Sequence, residues 1–475
     1  MTGRLILSLI FCFFLTGSLF STTQNVTIYG SNPDYSGTEL EFFIYKEKIF
    51  NSTEPLAKTI VSSDGSFSVS IPLDKTQCIY CQTPLFIAFI YTEPGKTYAI
   101  HLPPLPDKTN ENTDNPFFIP PLAHMLPLNA SDTSVIELNS AINRFNEQYD
   151  PFLNQQILRY YDPVSSRSKL DSFIISCSKL PVPVNNDYYI TYCFYKIASL
   201  GFLVNQFSYS ELYEKYLKDK PVRSDVPSWW DFFNLYFDRY FISLSGKKEF
   251  SGLYSLVGDG NYHGLDLLLK IDPALQNDQI REWVIIREIR NEFYEHGLPL
   301  STVFKLCDSL SISTTDKLSI SISEILKQDV SALLPGNPPP DALLLNMVGD
   351  SLRLSSLNGK YFLVGFCSLN HIECMQEFEY LKYYFNKHGR YLDIVIIVPE
   401  NEKDLILSFT DENSIPWKFW YCKENNKILK EYKVKAFPVF YLFDRNGILI
   451  QSPAAFPSGN FEQQLFSILK TKGDI

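Results

Sequence analysis

Two apolar runs near the C-terminal end constrain this chain more than any other feature. Tyr361-Phe362-Leu363-Val364-Gly365-Phe366 and Tyr391-Leu392-Asp393-Ile394-Val395-Ile396-Ile397-Val398 are too uniformly apolar for strands with one wet face. Between them Cys374, Phe378, Leu381 and Phe385 recur at helical spacing. A buried strand, a helix and a second buried strand predict an α/β sheet covered on both faces. Residues 352–354 predict a short strand before the first run, and residues 403–412 a helix after the second. Residues 439–443 and 448–450 predict a hairpin around Asp444-Arg445-Asn446-Gly447, and residues 461–470 a last helix.

The chain has 475 residues, enough for several domains, and two further patterns precede the α/β one. Within residues 22–104, Val26-Thr27-Ile28-Tyr29, Glu41-Phe42-Phe43-Ile44-Tyr45, Ser66-Phe67-Ser68-Val69-Ser70-Ile71 and Leu85-Phe86-Ile87-Ala88-Phe89-Ile90 are short segments rich in aromatic or β-branched residues. Turn signals at Ser63-Asp64-Gly65 and Glu93-Pro94-Gly95-Lys96 separate them, and some seven strands predict a small sandwich. Residues 105–130 are rich in Pro and Asn without helical period, a linker carrying one short strand near 117–120.

Residues 131–336 switch to helical period. Ser131 and Ser134 are N-cap candidates before a stripe of Val135, Leu138, Ile142 and Phe145. Further stripes cover 169–180, 188–207, 229–244, 279–296 and 315–327, with Pro181, Pro221, Pro227, Pro273 and Pro299 as breaks. The aromatic cluster Trp229, Trp230, Phe232, Phe233, Tyr236, Phe237, Tyr240 and Phe241 reads as packing more readily than as a groove. The expected architecture is therefore multidomain: signal 1–21, β-sandwich 22–104, linker 105–130, all-α region 131–336, α/β domain 337–475.

The formal charge is −11, without basic clusters, which leaves no electrostatic reason to bind nucleic acid or anionic lipid. Arg4, an apolar run over residues 5–15 and mostly small or polar residues over 16–21 have the grammar of a cleavable export signal. An uncleaved anchor is the other reading of that run. No later segment reaches the roughly 18 apolar residues of a transmembrane helix.

Eight of the nine cysteines lie beyond the signal, too sparse for a small disulfide scaffold. Cys78 and Cys81 form the only CxxC, and a local disulfide or two separate buried thiols suit its strand-like flanks better than a catalytic pair. No second ligand pair lies at zinc spacing, and Gly258-Asp259-Gly260 lacks the context of a phosphate loop. Neither metal nor cofactor is expected. Asn25, Asn51 and Asn129 head glycosylation sequons, which matter only in a eukaryotic source.

Leu352-Arg353-Leu354-Ser355-Ser356-Leu357-Asn358-Gly359-Lys360 leading into the first apolar run resembles the opening of a thioredoxin-fold domain of the TlpA/ResA-like, AhpC/TSA branch. Glu431-Tyr432-Lys433-Val434-Lys435-Ala436-Phe437-Pro438-Val439-Phe440-Tyr441-Leu442-Phe443-Asp444 resembles that family's second signature. Together they cover roughly the last 135 residues. The resemblance implies a cis-proline at Pro438, a substrate groove beside Phe437 and Pro438, and a dithiol at the start of the helix. The order of signal, β domain, helical region and α/β domain resembles large envelope proteins of Bacteroidota. Export to the periplasm or cell envelope is the implied location.

The departure comes where the family keeps its chemistry. The family places Trp-Cys-x-x-Cys at the helix start; this chain has Phe366-Cys367-Ser368-Leu369-Asn370-His371-Ile372-Glu373-Cys374. His371 stands for the attacking cysteine and Cys374 for the resolving one. Imidazole cannot form or release a disulfide, so ordinary exchange through 371 and 374 is excluded. Three readings of Cys374 follow. It is a buried remnant; or a single reactive thiol activated by the helix N-terminus and His371; or one half of a nonstandard couple with Cys367 or Cys422. At the level of function these become two hypotheses. One is an envelope protein that binds a partner protein or peptide through its groove. The other is a thiol–disulfide oxidoreductase or single-Cys peroxidase centred on Cys374.

Overall fold

The computed structural model describes residues 23–83, 86–104, 120–128, 137–157, 166–183, 186–422 and 425–474. The export segment, the cap candidates Ser131 and Ser134, and residues 117–119 of the expected linker strand lie outside them.

Eight strands build the N-terminal part: β1 (Gln24–Ser31), β2 (Glu39–Tyr45), β3 (Thr53–Ile60), β4 (Ser66–Leu73), β5 (Gln77–Gln82), β6 (Ile87–Thr92), β7 (Thr97–Ile100) and β8 (Leu122–His124). They form a three-stranded sheet, β4-β1-β7, and a five-stranded one, β3-β2-β5-β6-β8. Strand β4 alternates as a half-buried strand should, with Phe67, Val69, Ile71 and Leu73 inside and its serines outside. These four join Val26, Ile28, Leu40, Phe42, Ile79 and Ile90 in a core shared by both sheets. The linker expected at 105–130 gives its last part to this body. Leu122–His124 pairs in parallel with β6, and Pro127 bridges Ile100.

Strand β5 is buried on both faces. Ile79 and Cys81 face the sandwich core, whereas Cys78 and Tyr80 join the core of the helical region. Helices therefore cover the outer face of the five-stranded sheet. They are α1 (Leu138–Ile157), α2 (Ser166–Cys177), α3 (Asp187–Leu203), α4 (Tyr209–Leu212), α5 (Pro227–Tyr236), α6 (Tyr240–Ser245), α7 (Leu253–Gly258), α8 (Tyr262–Leu269), α9 (Asp278–His296), α10 (Leu300–Ser313) and α11 (Lys317–Ser331). Asn139 is fully buried at this junction; its amide donates to the Tyr91 carbonyl at 2.8 Å and its oxygen accepts from the Tyr91 N–H at 2.8 Å.

The continuous helix expected over 229–244 is two helices, because Arg239 sits at φ 47°, where a right-handed helix cannot pass. All eight aromatics of that stretch are buried, with Trp230 stacked on Trp283 at 4.9 Å. Helix α10 was not expected. Its Ser- and Thr-rich sequence hides the stripe of Val303, Leu306, Cys307 and Leu310.

The C-terminal part is a seven-stranded sheet in the order β10-β9-β13-β12-β11-β14-β15. Its strands are β9 (Leu343–Leu345), β10 (Ser351–Arg353), β11 (Tyr361–Phe366), β12 (Leu392–Val398), β13 (Phe419–Tyr421), β14 (Val439–Phe443) and β15 (Leu449–Gln451). Strands β11, β12 and β13 run parallel, and β14 returns antiparallel to β11. All six residues of β11 are buried, as its apolar run requires. Helices α12 (Ile372–His388), α13 (Ile406–Asn413), α14 (Asn425–Glu431) and α15 (Phe461–Lys472) complete this part. Helix α12 buries Cys374, Phe378, Leu381 and Tyr384, one face at helical spacing. Lys433, next to the Val434–Pro438 loop, reaches back to the helical region, donating to the Tyr294 hydroxyl at 2.6 Å and the Asp329 carbonyl at 2.9 Å.

Candidate functional site

The site forms at the carboxyl ends of β11 and β12, where the chain leaves the sheet and enters α12. Ligands of open α/β sheets collect at such edges. Cys367 continues β11 by one residue, its N–H donating to the Ile397 carbonyl at 3.0 Å. Ser368, Leu369 and Asn370 then turn the chain into α12, whose N-cap is His371.

One buried carboxylate holds that turn. Glu402, in the loop after β12, accepts from the Ser368 hydroxyl at 2.6 Å and the Leu369 N–H at 2.5 Å. The Ser368 oxygen in turn accepts from the Asn370 N–H at 3.1 Å. Together these three bonds fix the backbone that presents residues 371–374. Sequence pattern alone assigns Ser368 and Glu402 no role. The one available signal for Glu402 was its place in Pro399-Glu400-Asn401-Glu402, directly after a buried strand.

His371 and Cys374 do opposite things. His371 is exposed, extended at φ −100°, and makes no side-chain cap hydrogen bond to its helix. Its ring meets the Phe437 ring edge-on at 6.0 Å between centroids. Phe437–Pro438 is a cis peptide, and the next residue, Val439, pairs with Phe366 at the end of β11. Pro438 thus lies beside the end of β11, across from the start of α12. Cys374 is fully buried one turn into the helix.

The Cys374 sulfur accepts the Ser368 N–H at 3.3 Å. Cys367, also fully buried, directly precedes that amide in the chain. The neighbouring Cys367 side chain, with the Ser368 amide, holds the Cys374 thiol below its ordinary range despite burial. Burial pushes the Cys367 thiol well above its ordinary range. The structure therefore brings Cys367, Cys374, His371, Phe437 and Pro438 to one edge.

It does not bring the other named cysteines there. Cys422 is buried at the end of β13 and lines a separate cavity of about 340 Å³ with Asp341, Arg353, Lys427 and Glu431. Cys78 and Cys81 point to opposite faces of β5, into different cores, and burial pushes both thiols up to about 12. A local bridge between them would need the strand to break. Among the described residues no group of three or more His, Cys, Asp or Glu side chains is placed to hold a metal ion.

No protein-family model matches the chain, and no curated protein matches it. Similar solved structures include the thioredoxin domain of a thiol-disulfide oxidoreductase from Bacteroides vulgatus, 20% identical, TM-score 0.27, covering 29% of this chain and 99% of that one. A thiol:disulfide interchange protein from Bacteroides sp. is 23% identical, TM-score 0.23, covering 25% of this chain and 79% of that one. A domain titled a possible thiol-disulfide isomerase from Cytophaga hutchinsonii is 20% identical, TM-score 0.28, covering 30% of this chain and 99% of that one.

Proposed function

We propose that this is an exported envelope protein whose C-terminal thioredoxin-fold region binds an extended segment of a partner protein or peptide and performs no dithiol exchange at 371 and 374. One observation carries the reading. The group exposed at the helix start, facing Phe437 and Pro438, is an imidazole, while the nearest sulfur is wholly buried. An exchange enzyme needs a thiolate where His371 stands. Recognition needs no thiolate, only apolar and backbone groups that an extended segment can meet, which the loop at Phe437 and Pro438 beside the start of α12 would supply. Export rests on the apolar run after Arg4; among the described residues no helix is long and apolar enough to cross a membrane.

The test uses fluorescent reduced, carboxymethylated α-lactalbumin as an extended-chain probe, with insulin reduction in parallel. Binding that weakens several-fold in Ile372→Glu, a residue 68% exposed beside His371, supports the reading. Insulin reduction at the pace of ordinary dithiol proteins overturns it.

A second reading, a thiol–disulfide oxidoreductase or single-Cys peroxidase centred on Cys374, is favoured by the Ser368 N–H that its sulfur accepts at 3.3 Å and by its place in the first turn of α12. Against it stands the complete burial of that sulfur.

A further inference from the structure

We infer that Cys367 and Cys374 are an internal peroxide-oxidisable pair, which a small hydroperoxide converts to a disulfide joining the end of β11 to the first turn of α12. The inference shares Cys374 with the second reading above but requires neither turnover nor peptide binding.

Three observations carry it. First, the two cysteines are neighbours in space: the backbone amide directly after Cys367, the Ser368 N–H, donates to the Cys374 sulfur at 3.3 Å. Closing a disulfide from there asks for side-chain rotation and a small approach of strand end to helix, not a new fold. Second, the acceptor sulfur is the better nucleophile of the two. It receives the Ser368 N–H at 3.3 Å and lies in the first turn of a 17-residue helix, both of which favour negative charge there. Third, both sulfurs are at zero exposure beneath the Ser368–His371 turn. A protein disulfide or a bulky thiol reagent cannot reach them in the folded state. Hydrogen peroxide, close to water in size, needs only a small opening of that turn.

The chemistry balances. The Cys374 thiolate attacks one peroxide oxygen; the O–O bond breaks, and the departing hydroxide takes a proton to leave as water. Cys374 is then a sulfenic acid. The Cys367 sulfur attacks it, the S–S bond forms, and the sulfenic oxygen leaves with the Cys367 proton as a second water. Two thiols are oxidised and one peroxide is reduced. The cysteine that performs the second step is thus not at the helix position the family uses but seven residues earlier, on the strand.

The test is peroxide titration of the full chain, followed by unfolding, alkylation and peptide mass analysis. Cleavage after Lys360 and Lys382 places both cysteines in one peptide, so a bridge appears as the loss of two hydrogens from it and of both alkylation sites. The expected result is that bridge, at peroxide levels that leave buried Cys307 and Cys81 alkylatable, and no reaction of either cysteine with 5,5′-dithiobis(2-nitrobenzoate) before unfolding. In Cys367→Ser the reaction stops at one added oxygen, assigned to residue 374 rather than Met375 by fragmentation. In Cys374→Ser the peptide stays unoxidised at 367. Should both cysteines stay alkylatable when Cys307 begins to react, or should either bridge elsewhere, the inference is overturned. One-equivalent bridging without peroxide turnover under added dithiothreitol keeps the pair and removes the peroxidase reading.

Discussion

Glu402 and Ser368 are 34 residues apart in sequence and joined by a 2.6 Å hydrogen bond in the buried corner behind Cys374. The same carboxylate takes the Leu369 N–H on its other oxygen, so one side chain from the loop after β12 sets the path of the turn after β11. Because both of its oxygens accept, Glu402→Gln places an NH₂ against one of two donors. An unmet buried donor costs about 1–3 kcal/mol. The expected outcome is local: amide hydrogen exchange at Leu369 and Asn370 quickens by roughly tenfold or more, since 1.4 kcal/mol is a factor of ten. Unchanged protection at both amides would show that the turn holds itself.

Asn139 makes the corresponding tie between the sandwich and the helices. It meets both backbone groups of Tyr91, donates to the Glu137 carboxylate at 2.6 Å, and its oxygen lies 3.0 Å from His124 Nε2 on β8. Asn139→Leu fits the volume but leaves the Tyr91 N–H and C=O unmet where water cannot reach. A loss of about 2–6 kcal/mol follows from two such groups. Thermal unfolding read by near-ultraviolet circular dichroism should show it, with Leu122–His124 losing exchange protection first.

Glu288 on α9 gives the chain a pH dependence that does not involve the site. It is 1% exposed, accepts the Phe241 N–H at 3.1 Å, and burial raises its carboxyl to about 7. A folded pKa above the unfolded value means the native state holds the proton more tightly. Its contribution is therefore full below about pH 4.5 and is lost as pH rises through about 7. Glu288→Gln keeps an acceptor for Phe241 and removes the charge. The melting temperature of the variant relative to the parent should rise between pH 5 and pH 8, by the equivalent of at most about 3 kcal/mol. A difference that stays flat across that range rules out Glu288 as the titrating group.

Much of the α/β part was legible because its strands are buried on both faces and write themselves as apolar runs. The helix after β11 and the strands of the 439–450 hairpin stand where the apolar periodicity placed them. What the sequence hid were relationships between segments. The sequence offers both Cys367 and Cys422 as partners for Cys374; which of them lies beside it depends on how far β11 runs before the turn, and there the Ser368 amide that follows Cys367 meets the Cys374 sulfur. Glu402 shares no local pattern with Ser368. The two-sided burial of β5 hid in Gln77-Cys78-Ile79-Tyr80-Cys81-Gln82, which looks like a sandwich strand until helices cover its outer face. Arg239 reads as a helix former, and only packing puts it at φ 47°.

Gly365 is the point where β11 admits no side chain. A Cβ there would lie 2.6 Å from a ring carbon of Phe440 on β14 and 2.9 Å from Ile396 on β12. Both neighbours belong to strands hydrogen-bonded to β11, so neither can withdraw without disturbing the sheet. Gly365→Ala should cost about 1–3 kcal/mol by overpacking. The unfolding step of the C-terminal part should move to lower denaturant without a change in slope.

The last prediction concerns the residue on which the functional reading turns. His371→Cys puts a thiol at an exposed N-cap, facing Phe437 and Pro438 and one helical turn from Cys374, the position an exchange dithiol requires. Insulin reduction should then appear where the parent shows none. Cys367 complicates the outcome, because the amide directly after it already meets the Cys374 sulfur, and its thiol would compete for Cys374 once that is oxidised. The double variant His371→Cys, Cys367→Ser should therefore be faster than His371→Cys alone. Equal rates would mean that Cys367 never reaches Cys374 during turnover, and inactivity of both would place the loss of exchange chemistry beyond residue 371.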